Sequence, residues 1–225
     1  MSSSNPPRGS ILGNVTEPIL LYAEPLWDSP YVFSAFVALR EKRLAFEARE
    51  LDLKRGDQRE PDYRDRSLTA RVPSIDHQGF FLSESLAIIE YLEEQFPAPV
   101  HPRLLPAGVR DRARARQVLA WLRSDLQALR EERPTTTMFF ERVSAPLGAS
   151  ARAAADKLLR VADQLIPAGE GALFGAFSMA DADLTFMLHR LILNADAVPD
   201  RVRHYAAAIW GRPSVQAFVA QKRPG

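Results

Sequence analysis

The sequence predicts a chain of two halves, an α/β half followed by an all-helical half, within 225 residues. Three observations carry that reading. Short apolar runs of strand length alternate with helical patterns up to about residue 97. Pro97, Pro99, Pro102 and Pro106 then punctuate residues 97–108, where each proline removes a backbone donor and fixes φ, so no helix passes through. Beyond them every strong pattern has the 3.6-residue period of a helix, and no strand pattern recurs.

In the first half, Ile19 to Ala23 (ILLYA) is an apolar run consistent with a buried strand. Ser29-Pro30 opens a helix, with serine at N-cap and proline at N1, and Val32, Ala35, Phe36 and Leu39 form its apolar face up to charged residues near Lys42. Phe46 to Leu53 alternates apolar and polar and reads as a second strand, parallel to the first because one helix crosses between them. Residues 55–70 are polar and aperiodic, a loop with a poor helix. Ser74 to Asp76 and Phe80 to Leu82, separated by His77-Gln78-Gly79, read as a hairpin. Glu84 to Phe96 is an amphipathic helix with Leu86, Ile89 and either Tyr91 or Leu92 inward; Ser83 is its N-cap in the simplest reading.

In the second half, Val118, Leu119, Leu122, Leu126 and Leu129 stripe one long helix that stops at Pro134. Residues 150–166 form another, with Leu158, Leu159, Ala162 and Leu165 inward. Ser178 to Asp181 has the spacing of a capping box ahead of Leu184, Met187, Leu188 and Leu191. Two shorter helices follow, over 199–210 and 213–222.

Composition narrows the function. With 46% hydrophobic residues the chain can bury a sizeable core, and 29 basic against 28 acidic residues leave no global field to recruit nucleic acid or an anionic membrane. The absence of cysteine excludes disulfides and any mechanism that uses a protein thiol. His77, His101, His189 and His204 show no metal-ligand spacing, so no metal is expected. The first sixteen residues, rich in Ser, Pro and Gly, lack a signal peptide's pattern and read as a flexible tail, and no apolar run reaches membrane-spanning length; a soluble, cytoplasmic protein is expected.

Arg71-Val72-Pro73-Ser74-Ile75, with Glu84-Ser85 eleven residues after the proline, joins an extended segment to an acidic helix start. Val72 offers one backbone donor and one acceptor to a ligand lying beside it as an added strand. Glu84 and Ser85 suit an amino acid head, carboxylate on helix N–H groups and amine on Glu84.

These features, together with Ser29-Pro30-Tyr31, the proline-rich linker and Phe174-Gly175 before the capping box, resemble the cytosolic glutathione S-transferases of the serine-using, bacterial-like kind, from Ile19 to about Phe218. The resemblance implies a thioredoxin-like domain over residues 17–97, a linker over 98–107, an all-helical domain over 108–225, and a homodimer. It implies glutathione as co-substrate, supplying the thiol the protein lacks, and a small hydrophobic electrophile as its partner, with peroxide reduction a further activity. It implies Ser29 as hydroxyl donor to the thiolate; Tyr22 is a competing donor, although a buried strand aromatic is its simpler reading. By the same resemblance, Val72, beside a cis Pro73, pairs with the cysteinyl portion, and Glu84 and Ser85 bind the γ-glutamyl head. Arg71 meets the glycine carboxylate or is a solvated charge, and Lys54 or Arg55 is a further basic contact. Trp27 and Trp121, with Met138, Phe139 and Phe140, are candidates to line the electrophile pocket; Arg123 and Arg130 face the cleft or water. The alternatives are a non-catalytic ligand-binding or assembly protein of the same fold, and a glutathione-dependent disulfide reductase.

Overall fold

The computed structural model describes residues 18–169 and 171–224; the tail expected over residues 1–16 lies outside the described residues. The first half is a mixed β/α layer of thioredoxin-like type. Strands β1 (Ile19–Ala23), β2 (Phe46–Glu50), β3 (Ser74–His77) and β4 (Phe80–Ser83) form one sheet in the order β2-β1-β3-β4. β1 pairs parallel with β2 and antiparallel with β3, as a helical crossover followed by a hairpin requires.

The central strands bury Leu21, Ala23 and Ile75 completely. β2 is shorter than expected and is an edge strand, exposed from Glu47 through Glu50, so its alternation does not mark a buried face. The hairpin turns on Gln78 and Gly79, both left-handed with φ 55° and 84°, the geometry a two-residue connection favours.

Helix α1 (Pro30–Glu41) was expected to bury one face; instead every residue from Val32 to Leu39 is buried. It packs on α3 (Ser85–Gln95) in its own half and on α8 (Met179–Ile192) and α10 (Pro213–Val219) of the other. At its C-terminal end the Lys42 ammonium, itself fully buried, donates to Glu93 Oε2 at 2.7 Å and to the Phe96 carbonyl at 2.8 Å. The same Glu93 oxygen accepts from the Leu104 amide, which pins the proline-rich linker to α3. In α3, Ile88, Ile89 and Leu92 face inward; Leu86, expected there, is only partly buried. Ser83 is the last residue of β4, not the N-cap. A 3₁₀ turn (Asp57–Arg59) and α2 (Pro61–Ser67) fill the segment read as a poor helix.

The second half is helical throughout its described residues: α4 (Val109–Ser124), α5 (Gln127–Glu132), α6 (Thr136–Phe139), α7 (Ala149–Leu165), α8, α9 (Asp200–Trp210) and α10. The long helix expected up to Pro134 is two, broken where Asp125 is extended and Leu126 is left-handed at φ 63°. The Asp125 carboxylate stabilises the break by accepting from Trp121 Nε1 at 2.8 Å and from Lys157 on α7. In α7 the inward residues are Ala151, Ala155, Leu158 and Ala162, whereas Leu159 and Leu165 are only partly buried. The capping box of α8 forms, and the Met179 amide donates to the Leu104 carbonyl at 2.9 Å, joining α8 to the linker. No helix among the described residues is long and apolar enough to cross a membrane.

Candidate functional site

A cleft of ≈ 460 Å³ opens where β3 and α3 begin, and Arg71, Val72, Glu84 and Ser85 all line it. The local folding explains why. Arg71 donates no hydrogen bond among the described residues, but its carbonyl accepts from Tyr63 Oη at 2.6 Å and Ser74 Oγ at 3.0 Å, which fixes the chain just before the cleft. The next residue, Val72, precedes a cis bond to Pro73, and neither its N–H nor its C=O meets a protein partner among the described residues. A free donor and acceptor on one residue just ahead of β3 is what a strand-like ligand needs.

Across the cleft Glu84 holds φ 73° and ψ 114°, a backbone conformation that costs a non-glycine residue about 1–3 kcal/mol. The side chain remains exposed and makes no capping bond. Consequently the N–H groups of Ser85, Leu86 and Ala87, at the start of α3, meet no acceptor among the described residues. An 11-residue helix with an open N-terminus attracts a carboxylate through those donors and its dipole.

Ser85 Oγ, nearly buried, accepts from Arg123 Nε at 3.2 Å and Nη2 at 3.0 Å. Its own hydrogen is thereby left for a ligand oxygen. Arg123 also donates from Nη2 to Ser34 Oγ at 3.0 Å and from Nη1 to Asp183 Oδ2 at 2.8 Å, while the Ser34 hydroxyl donates to Asp183 Oδ2 at 3.0 Å. Burial pushes the Asp183 carboxyl up, with Arg123 and Ser34 acting against it. Arg123 therefore faces the cleft, and a polar knot joins α1, α3, α4 and α8 behind it. Asp183 carried one sequence signal, an acid within the apolar stripe of α8.

Ser29 is the N-cap of α1 but not part of the cleft wall, which begins one residue past Pro30 with Tyr31. Its Oγ accepts from the Tyr31 and Val32 amides at 3.2 and 3.3 Å, so these first-turn donors are already engaged. The Ser29 and Asp28 amides both donate to Glu24 Oε1 at 2.8 Å. Glu24, only 7% exposed, is the anchor of the 24–29 loop; burial raises its pKa, opposed by those backbone bonds. Neither Glu24 nor Tyr31 was singled out from the sequence, since loop geometry decides where each points.

The remaining candidates lie elsewhere. Tyr22 packs in an aromatic cluster with Tyr63 and Phe81 at ring distances of 5.4 and 5.2 Å, as a strand aromatic does. Trp27, expected in the electrophile pocket, is 3% exposed, packs edge-on against Phe36 and Phe218, and donates to Glu50 at 2.7 Å. Trp121 is committed to the Asp125 break. Met138 is buried, Phe139 packs on Phe186 and Phe218, and Phe140 is exposed beside Arg142 and Val143. Arg55 is paired with Asp57, and neither it nor Lys54 reaches the cleft. Beside the cleft, a narrower slot between the halves shares Tyr31 and Arg123 with it and is lined also by Arg130, Asp183, Phe186 and Met187. Among the described residues no group of three or more His, Asp or Glu side chains is placed to hold a metal.

Two family models match: "Glutathione S-transferase, N-terminal domain" over residues 26–100 and "Glutathione S-transferase, C-terminal domain" over residues 108–223. Among solved structures, a glutathione transferase homolog from Burkholderia gl BGR1, with bound glutathione, is 44% identical at a TM-score of 0.77, covering 92% of this chain and 98% of that one. Maleylacetoacetate isomerase from Methylobacterium extorquens AM1, with bound malonate and GSH, is 27% identical at a TM-score of 0.68, covering 91% and 98%. Among curated proteins, maleylacetoacetate isomerase of Dictyostelium discoideum is 34% identical over 105 residues, 46% of this chain and 47% of that protein. The chain thus spans about half the length of this and similar curated relatives.

Proposed function

From the premise that the chain belongs to the glutathione S-transferase family, we propose that it binds reduced glutathione along the Val72–Ser85 cleft and promotes attack of the glutathione thiolate on a small electrophile. The observation that carries this reading is the convergence in one cleft of an unpaired backbone residue just ahead of β3, an open helix N-terminus and an exposed carboxylate. They match the extended backbone, the α-carboxylate and the ammonium of a γ-glutamyl peptide. In this reading Val72 pairs with the cysteinyl portion, Ser85 and the α3 amides take the carboxylate, Glu84 takes the amine, and Arg71, exposed at the cleft rim, meets the glycine carboxylate.

Thiol activation falls to Ser29. The first-turn amides of α1 are spent on its Oγ, so its hydroxyl hydrogen and the helix dipole are what remain to stabilise a thiolate. Tyr31 is a second reading, favoured by its position in the cleft wall. With the thiol brought by its ligand and no cysteine in the chain, the protein supplies orientation and electrostatics. We also propose that the protein acts as a homodimer, and that the glutathione-binding and helical domains divide at the linker over residues 98–107.

Purified protein should accelerate glutathione addition to a broad-spectrum electrophile and bind immobilised glutathione, and Glu84→Ala should abolish retention. A native protein that neither binds glutathione nor exceeds the uncatalysed rate sinks the reading. The pKa of the bound thiol should rise by about one unit or more in Ser29→Ala and hold in Tyr31→Phe; the reverse pattern transfers the role to Tyr31.

A further inference from the structure

The peptide that joins Trp27 to Asp28, immediately ahead of Ser29, is held from both sides. Its N–H donates to Glu24 Oε1 at 2.8 Å, and the same oxygen takes the Ser29 amide at 2.8 Å. Its carbonyl accepts from Arg223 Nη2 at 2.9 Å and has no other partner among the described residues. Trp27 itself is left-handed at φ 47°, a conformation that a non-glycine residue keeps only where its surroundings impose it. Contacts of the Trp27 ring with Phe36, Phe218 and Glu50 fix the side chain but not the peptide beyond it. That peptide depends on Glu24 within the loop and on an arginine 196 positions away.

Arg223 is built as a strut. It follows α10 and lies over the open C-terminal end of that helix, where its Nη1 donates to the Val219 and Gln221 carbonyls at 2.7 and 2.9 Å. Nη2 reaches the Phe218 carbonyl at 3.2 Å as well as that of Trp27. The guanidinium carbon lies 4.0 Å from the centre of the Phe139 ring on α6. Nε is buried and finds no acceptor, so the place of the fork is set by those carbonyls and that ring. Burial lowers the Arg223 pKa, with Asp28 and then Glu24 acting against it, so the guanidinium sits beside the acids of the loop.

Resting on the assignment of thiol activation to Ser29, we propose that Arg223 is a positioning residue for the reaction. By holding the Trp27 carbonyl it fixes the plane of the Trp27–Asp28 peptide, and thereby the direction in which Ser29 presents its hydroxyl hydrogen at the start of α1. A planar guanidinium bridges the α10 carbonyls and Trp27 in one fork, which a single ammonium does not reproduce. Without that fork the peptide can rotate about its remaining anchor, Glu24. Arg223 is not part of the cleft wall, so the contacts that bind glutathione do not include it. Its effect therefore falls on the state of the thiol and not on the affinity for the peptide.

The test follows the thiolate absorbance of saturating glutathione on each protein against pH, which reads the folded, liganded enzyme whatever its yield. Arg223→Met keeps an apolar stem over Phe139. It should raise the bound thiol's pKa by about half a unit or more, roughly threefold less thiolate at a pH below both values, with the glutathione KM held within about twofold. Arg223→Lys should shift it less in the same direction, and it carries the comparison where Arg223→Met does not fold. Ser29→Ala should raise the pKa by itself, and adding Arg223→Met should raise it no further, because a residue that acts through Ser29 then has nothing left to position. An unmoved pKa in the Arg223 variants beside a raised one in Ser29→Ala overturns the positioning role and leaves the transferase reading intact. A loss confined to the glutathione KM, or two pKa shifts that add, does the same. An unmoved pKa in Ser29→Ala overturns both the assignment to Ser29 and this inference.

Discussion

His189 shows how one residue can tie stability to pH. It stacks on Trp210 at 3.8 Å, its Nδ1 faces the Thr185 carbonyl at 2.9 Å, and burial pushes its pKa down to about 4. The unfolded chain, with an ordinary value near 6.5, binds a proton that the folded chain refuses. The stabilising contribution is complete above pH 6.5 and is lost as pH falls toward 4, about 3 kcal/mol over that window. Urea unfolding at pH 7.5 and pH 4 should show this loss in the native protein, and His189→Phe should flatten it; an equal loss in both proteins would refute the assignment. Spacing in the sequence argued only against metal binding by this histidine; how deeply it is buried depends on the packing of α9 on α8, which no local pattern reveals. Glu84 and Ser85 were legible because their spacing from Pro73 is local information. Glu24 was not, because loop geometry decides that its carboxylate meets the Asp28 and Ser29 amides, and Asp183 was not, because its partners Ser34 and Arg123 come from separated helices.

At the scale of the element, period alone located most helices and both hairpin strands, and it failed in an instructive place. Val118, Leu119, Leu122, Leu126 and Leu129 keep helical spacing across the break, so the stripe continues although the backbone does not. What breaks it is Asp125, held by Trp121 and by a lysine 32 residues away. Helix α1 deceived differently: a helix sandwiched between two layers has no polar face to reveal its orientation. The α8 capping box was legible and has more work than a cap requires. Asp181, fully buried, accepts from the Leu173 and Ser178 amides and from the Ser178 and Tyr205 hydroxyls, all within 2.9 Å. Asp181→Ala leaves those four donors stranded and should cost about 3–5 kcal/mol, measured by denaturant midpoint at constant slope. A loss below about 1 kcal/mol would show that water replaces the carboxylate.

In the whole molecule the two halves share one interior. Phe33 of α1 lies 4.5 Å from Phe186 and 5.2 Å from Phe218, ring to ring. Glu41 accepts from Arg212 at 2.9 and 3.1 Å and from Ser214 at 2.5 Å. Such a seam predicts a single cooperative unfolding transition: Trp27 in the first half and Trp210 in the second should report the same midpoint as far-ultraviolet dichroism. Two separated midpoints would mean that the seam is weaker than its packing implies. The break in helical pattern at the prolines after α3 was legible, whereas the extent of contact between the halves was not, because it is built from residues some 150 positions apart.

Tyr31 and Arg123 belong to the walls of both the wide cleft and the narrow slot. Any occupant that shifts either side chain changes the free energy of filling the other space, and thermodynamic linkage makes that change reciprocal. Whatever factor the first ligand contributes to the affinity of the second, the second must return to the first, so their order of arrival becomes a matter of concentration rather than of construction.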